Sequence, residues 1–195
     1  MGAVLFDNRI DGLKENCHAP FFSHERGERL TLIEDTRQQE GKHKNIEQYC
    51  KRHGIKVIRK CLPVGDYMFS DDDGNHIGNV SVDTKQDMME ICKDIMSSDH
   101  RRFRSECQRA LASGIKLIIL IEELPPFGIV DLWEVPRWKS SNQYHKLGDP
   151  MTLIEPVTLR KAMETMTRKY GVQFRFCTRR QSPQRIIKYL KGEYK

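Results

Sequence analysis

The sequence predicts an α/β fold in which a mixed central sheet is flanked by helices on both faces, and three observations carry that prediction. Short β-prone runs alternate along the chain with segments whose apolar residues recur every three or four positions, the order that builds α/β layers. Ile115 to Ile121 is apolar except at Lys116, too short and too β-branched for a comfortable helix, so it reads as a central strand covered on both sides. Asp71-Asp72-Asp73-Gly74-Asn75 is a strong turn signal, which adds an antiparallel hairpin to strands otherwise joined through helices.

Residues 1–29 mix Gly, Pro, Asn, His and charges without a sustained period and are read as an irregular arm or small extension. The main domain is expected over 30–195. It opens with the strand Leu30-Thr31-Leu32-Ile33, which delivers Glu34 and Asp35 at its C-terminal end. Ile46, Tyr49 and Cys50 then recur at helical spacing before Gly54, a suitable residue just past a helix end. Ile55 to Leu62 is the next strand, and Pro63-Val64-Gly65 turns the chain into the first hairpin arm, Asp66 to Phe69. The second arm runs from Ile77 to Lys85. Its period of two puts Val80 and Val82 on one face and Ser81, Asp83 and Lys85 on the other.

Beyond Lys85 the period becomes helical. Met88, Ile91, Cys92 and Ile95 form one apolar stripe, and a second helix over 99–112 takes Asp99 as its cap, with Phe103, Cys107, Ala110 and Leu111 facing inward. Gly114 ends that helix and the central strand follows. From about Pro125 to Pro156 the chain is rich in Pro, Gly, Trp and polar residues and reads as an insertion. A helix near 158–170, a strand over 172–177 and a last helix near 182–190 complete the alternation.

Composition narrows the class. The longest apolar stretch, Leu117 to Ile121, is far too short to span a bilayer, and the N-terminus lacks the apolar run and cleavage site of a secretory signal. An intracellular protein with no membrane partner is expected, in the cytoplasm of a prokaryote or virus-infected cell or in a eukaryotic nucleus. Six scattered cysteines without C-x-x-C spacing read as reduced, mostly buried thiols. The net charge of +6 is uneven: from Val157 onward eleven basic residues meet two acidic ones, so that segment carries +9 and the rest −3. A polyanionic partner is expected.

The hairpin carries the chemistry. Asp66 starts one arm and Asp83-Thr84-Lys85 closes the other, so folding the hairpin returns the two carboxylates to each other, with an ammonium two residues beyond the second. Carboxylate oxygens suit Mg²⁺, or Mn²⁺, in a metal-dependent phosphodiesterase, and the lysine can orient water or neutralise charge developing on phosphate. Asp35, at the end of the adjacent strand, could complete the metal shell or hold a metal-bound water. The basic Arg101-Arg102-Phe103-Arg104 run could contact phosphate, or be a solvated helix face over a buried Phe103.

Three blocks carry a resemblance. Leu32-Ile33-Glu34-Asp35-Thr36-Arg37, Leu62-Pro63-Val64-Gly65-Asp66-Tyr67 and Val82-Asp83-Thr84-Lys85 resemble the D-x-R-E, G-D-Y and E-R-K blocks of the XPF/Hef nuclease domain, a branch of the PD-(D/E)XK nucleases. The resemblance extends from about Leu30 to Leu190, with no counterpart for 125–156. It implies a restriction-endonuclease-like fold and metal-dependent endonuclease activity on branched or flapped DNA. By position it makes Asp66 and Asp83 metal ligands, with the Thr84 carbonyl as a candidate third, and makes Asp35, Arg37 and Lys85 the rest of the active centre. It also implies a homo- or heterodimer through the C-terminal helices, to which Ile186, Ile187, Tyr189 and Leu190 could supply an apolar patch.

The departures are specific. Gln38 stands where the family usually has Glu, Asp83 replaces Glu, Thr84 replaces Arg, and the family's acidic residue four positions after the lysine is Met89 here, so that Asp87 or Glu90 substitutes or the role is missing. Two other readings stay open: a non-catalytic DNA-binding or scaffolding subunit, and another PD-(D/E)XK nuclease of restriction or junction-resolving type.

Overall fold

A computed structural model describes residues 30–38, 44–71, 77–96, 99–134, 138–139 and 153–194, with the side chains of 77, 133–134, 138–139 and 153–154 excepted. The arm at 1–29, the turn at 72–76 and half of the 125–156 insertion lie outside the described residues, and with them Trp133 and Trp138 as side chains.

The main sheet is built from β1 (Thr31–Asp35), β2 (Lys56–Lys60), β3 (Tyr67–Ser70), β4 (Ile77–Lys85), β5 (Lys116–Ile121) and β8 (Gln173–Phe176), in the order β2-β1-β3-β4-β5-β8. A ribbon of β6 (Trp138–Lys139) and β7 (Leu153–Ile154) stands apart from it. The sheet is mixed, as expected. β3 runs antiparallel to both β1 and β4, whereas β1 with β2, β4 with β5 and β5 with β8 are parallel.

Helices α1 (Lys44–Arg52) and α5 (Ser182–Leu190) cover one face, and α2 (Met88–Met96), α3 (His100–Ala112) and α4 (Pro156–Tyr170) cover the other. The alternation of β5 explains why it is apolar throughout. Leu117, Ile119 and Ile121 join the core under α2, α3 and α4, while Ile118 and Leu120 join the core under α1 and α5. Each such buried side chain contributes roughly 1.5–3 kcal/mol, so this strand anchors both layers at once. The turn that closes the insertion's first part, a 3₁₀ segment at Ile129–Glu134, packs against α4, with Leu132 fully buried.

Three expectations are corrected. Asp99 precedes α3 but its side chain makes no capping hydrogen bond; it pairs instead with Lys93 at 3.4 Å. Leu111 is 55% exposed because the inward stripe of α3 is Phe103, Cys107 and Ala110, and Leu111 falls one position past it. Ile186, Ile187, Tyr189 and Leu190 are buried against the sheet and α1, so they form this chain's own core and present no apolar patch to a partner. The cysteines behave as read: Cys50, Cys92, Cys107 and Cys177 are buried free thiols, Cys61 is exposed, and Cys17 lies outside the described residues. No described helix is long and apolar enough to cross a membrane.

Candidate active site

Three adjacent strands bring their chemistry to one end of the sheet, and the Asp66 backbone ties them together. Its N–H donates to the Val82 carbonyl and its carbonyl accepts from the Asp35 N–H, each at 2.9 Å. Since Tyr67 pairs with Val82 in the antiparallel ladder, Asp66 stands across from Asp83. Val82 points into the core under α1 and α5, so Asp83 and Lys85 point to the other side, where Lys85 Nζ lies 5.6 Å from the Phe103 ring centre. Asp35, Arg37, Asp66, Asp83, Thr84 and Lys85 all line one cavity of about 260 Å³.

The turn before Asp66 admits only glycine. Gly65 has φ +67°, in the left-handed region, and a Cβ there would collide with Ser81 Oγ and crowd the Val82 carbonyl at 3.2 Å. Ser81 is held in that slot by donating to the Val64 carbonyl at 2.9 Å. The backbone of β4 therefore closes tightly under the turn that aims Asp66.

Asp66 is 5% exposed and its carboxylate is held by named donors. Thr84 N–H and Thr84 Oγ1 both donate to Oδ2, at 2.8 and 2.6 Å, and Gln38 Nε2 donates to Oδ1. Burial, reinforced by the Asp83 charge, pushes the Asp66 carboxyl up to about 8 against the pull of the Thr84 bonds and Lys85. Lys85 Nζ lies 2.9 Å from both Asp83 Oδ2 and Asp94 Oδ2. Burial opposes its charge, but these two carboxylates override that and hold the ammonium protonated well above its ordinary range.

The structure gives Asp35 another part than the one expected of it. Arg37 takes both carboxylate oxygens, with Nε at 3.0 Å from each and Nη2 against Oδ2, while the Arg37 N–H donates to Oδ1 at 2.7 Å and the Leu62 N–H to Oδ2 at 3.2 Å. Arg37 Nη2 also donates to the Leu62 carbonyl at 2.8 Å. Burial raises the Asp35 proton affinity, yet the Arg37 bonds outweigh it and the net shift is downward. With its lone pairs so engaged, Asp35 braces Arg37 and the start of the Leu62 turn. Among the described residues no group of three or more His, Cys, Asp or Glu side chains is placed to hold a metal ion. Of the three acids expected about one cation, Asp66 and Asp83 stand across from each other, and Asp35 lines the same cavity bonded to Arg37.

Two acidic cavity residues were missed, Asp94 on α2 and Glu106 on α3. A signal existed: Asp94 lies three positions after Ile91 and Glu106 three after Phe103, so both acids fall on the inward stripes of their helices. Of the two substitutes expected after Lys85, Asp87 instead accepts the Glu90 N–H at 2.8 Å at the start of α2, and Glu90 accepts the Gln86 N–H at 2.8 Å while lining the cavity. The acid on α2 that pairs with Lys85 is Asp94. Of the expected phosphate contacts, Arg102 lines the cavity and reaches Asp94 at 3.6 Å, Arg101 and Arg104 are exposed outside it, and Arg109 lines it unexpectedly. Phe103 is buried, as the solvated-face reading required.

The donor set suits a hard divalent cation. Asp66 and Asp83 are buried carboxylates on facing strands, and Asp83 Oδ2 is buried without a well-directed hydrogen bond, its Lys85 contact being ionic. All available ligands are oxygens, the preference of Mg²⁺ and Mn²⁺. A cation would also relieve the like-charge pressure that raises the Asp66 carboxyl.

Comparison with protein families matches residues 35–190 to the ERCC4 domain. Among solved structures the chain is similar to XPF from Aeropyrum pernix, with 19% identity and a TM-score of 0.53 over 84% of this chain and 66% of that one. It is likewise similar to the structure of XPF from Aeropyrum pernix in complex with DNA, at 20% identity and a TM-score of 0.53, covering 84% of this chain and 64% of that one. The chain spans about two thirds of the length of these proteins, and at such identity the likeness is one of fold. Comparison with curated proteins found no match.

Proposed function

The chain belongs to the ERCC4 domain family, and from that premise we propose that it is a metal-dependent DNA endonuclease acting on branched or flapped DNA. The observation that carries this reading is the facing of Asp66 and Asp83 in the lining of one charged cavity, with the Lys85 ammonium 2.9 Å from Asp83.

Asp66 and Asp83 are the residues that would hold Mg²⁺ or Mn²⁺, with Thr84 beside them. When bound, such an ion supplies Lewis-acid polarisation of a phosphoryl oxygen and offsets the negative charge of the transition state. The chain's own residues do the rest. Thr84 and Gln38 fix the Asp66 carboxylate before substrate arrives, so no reorganisation is needed at the moment of reaction. Lys85, kept protonated by Asp83 and Asp94, presents positive charge to the phosphate as a P–O ester bond breaks and water adds to phosphorus. Arg37, braced by Asp35, is the second fixed cation at the cavity. Arg102 and Arg109 hold the neighbouring backbone phosphates. Arg101 and Arg104 extend that contact along the exposed side of α3. The basic outer faces of α4 and α5, with Lys161, Arg168, Lys169 and Lys191 exposed, are assigned to DNA or to polar contact with a second nuclease subunit, since the apolar side of α5 is spent in the core.

A non-catalytic DNA-binding subunit is the second reading, and the Gln38 amide on Asp66 Oδ1 favours it, because a neutral donor there competes with a cation. Labelled duplex, fork, flap and four-way junction incubated with Mg²⁺, Mn²⁺ or EDTA separate the two. The endonuclease cuts fork or flap with metal and not with EDTA; DNA retained but uncut under both metals selects the binding subunit.

A further inference from the structure

We propose that Glu106 is a positioning residue that locks the Asp66 turn through a carboxylate oxygen, the acceptor atom and not the negative charge being what the site requires. Glu106 Oε1 accepts the Gly65 N–H at 2.9 Å across 41 residues of sequence, from α3 to the turn between β2 and β3. Gly65 immediately precedes Asp66, and the two amides have different fates. The Asp66 N–H enters the ladder through Val82, whereas the Gly65 N–H goes to Glu106. On its other side the Gly65 peptide is walled by Ser81 Oγ and the Val82 backbone. The turn is thus gripped from below by β4 and from above by α3.

The placement of Glu106 is otherwise costly. It is the one acidic residue between His100 and Ala112, among Arg101, Arg102, Arg104 and Arg109, where a carboxylate subtracts from attraction to phosphate. It also lines the same cavity as Asp83, a second carboxylate. A charge that weakens substrate attraction and repels a neighbouring carboxylate is explained by the bond it makes. An amide carbonyl at the same place would make that bond without the charge. Because α3 also carries Arg102 and Arg109 into the cavity, the same bond ties the phosphate-holding helix to the turn that aims Asp66.

The catalytic consequence rests on the endonuclease reading, but the clamp can be read without it. Amide hydrogen exchange at Gly65, followed by NMR in the metal-free chain, is compared among the parent, Glu106→Ala and Glu106→Gln, with kcat and KM on a flap substrate measured in parallel. Glu106→Ala is expected to speed Gly65 exchange about tenfold and to lower kcat about tenfold at an unchanged KM, the size of one lost hydrogen bond. Glu106→Gln is expected to restore both to within about threefold of the parent. Should the alanine variant not fold, the glutamine variant alone decides: Gly65 protection lost in Glu106→Gln, or kcat lost with protection intact, overturns the proposal. Gly65 exchange unchanged in a folded Glu106→Ala overturns it equally. A parent that protects Gly65 through Glu106 yet cuts no DNA leaves the clamp standing and removes the endonuclease reading instead.

Discussion

The hydroxyl and the amide of Thr84 both donate to the same oxygen of Asp66, at 2.6 and 2.8 Å. The strand that brings the second carboxylate, Asp83, therefore also fixes the orientation of the first. Sequence reading placed Thr84 near the ion through its carbonyl; the structure gives its two donors a different task, that of holding a buried carboxylate ionisable and aimed.

Thr84→Val keeps the volume and the amide bond but removes the hydroxyl. The expected loss is about 1.5–3 kcal/mol of orientation for a hydrogen bond to a charged group, seen as a kcat about 10- to 100-fold lower with KM unchanged. Far-ultraviolet circular dichroism should match the parent, because Thr84 sits at a strand end and its pairing in the sheet is backbone.

Gly65→Ala should fail in stability before it fails in chemistry. The left-handed φ of +67° costs a β-carbon residue on the order of 1 kcal/mol, and the clash with Ser81 Oγ and the Val82 backbone adds to it. A lower urea midpoint at unchanged m-value is expected, equivalent to a loss of about 2–4 kcal/mol of stability. The double variant with Ser81→Gly, which empties the slot, should recover part of that loss.

How much of this was legible follows from where each residue lies. Asp66, Asp83 and Lys85 were readable because a turn signal at Asp71–Asn75 and a period of two fix both pairing and facing in a hairpin, so sequence distance converts directly into proximity. β5 was readable as a doubly covered strand because its apolarity is continuous. Asp94 and Glu106 were not read, since a helix shows which face is inward but not which strand end that face will meet. Asp35 was located correctly at the strand end, yet its partner Arg37 is only two residues away, and local geometry decides there between a ligand and a brace. The apolar residues of α5 looked like a partner surface because the sequence does not reveal that α1 and the sheet already cover them.

Metal-free stability should fall as pH rises from about 4 to 8. Below about 4 Asp66 is protonated in both states; between there and about 8 the unfolded chain releases the proton while the folded chain keeps it, so the unfolded state gains by up to about 1.4 kcal/mol per pH unit. Asp35 acts in the opposite sense, since its lowered value makes its contribution complete above about 4 and lost on further acidification. Chemical unfolding in EDTA across pH 3–9 should therefore show a maximum near the acid side. Asp66→Asn should flatten the limb above it, and an unchanged limb in that variant would remove Asp66 as its source.

Removing the ammonium leaves two buried carboxylates facing each other. Lys85→Ala is expected to destabilise the fold by about 3–5 kcal/mol and to abolish cleavage, whereas Lys85→Ala with Asp94→Asn should recover part of the stability and none of the cleavage. Thermal unfolding of the single and double variants gives the coupling between the two sites.

Manganese binding, followed by electron paramagnetic resonance of the free ion, tests the pairing of Asp66 with Asp83 most directly. The parent chain should take up Mn²⁺, and Asp66→Asn and Asp83→Asn should each weaken that uptake by about a hundredfold, while Asp35→Asn weakens it far less. Uptake by Asp83→Asn as tight as the parent's, or a loss with Asp35→Asn as large as with the pair, would contradict the shared site.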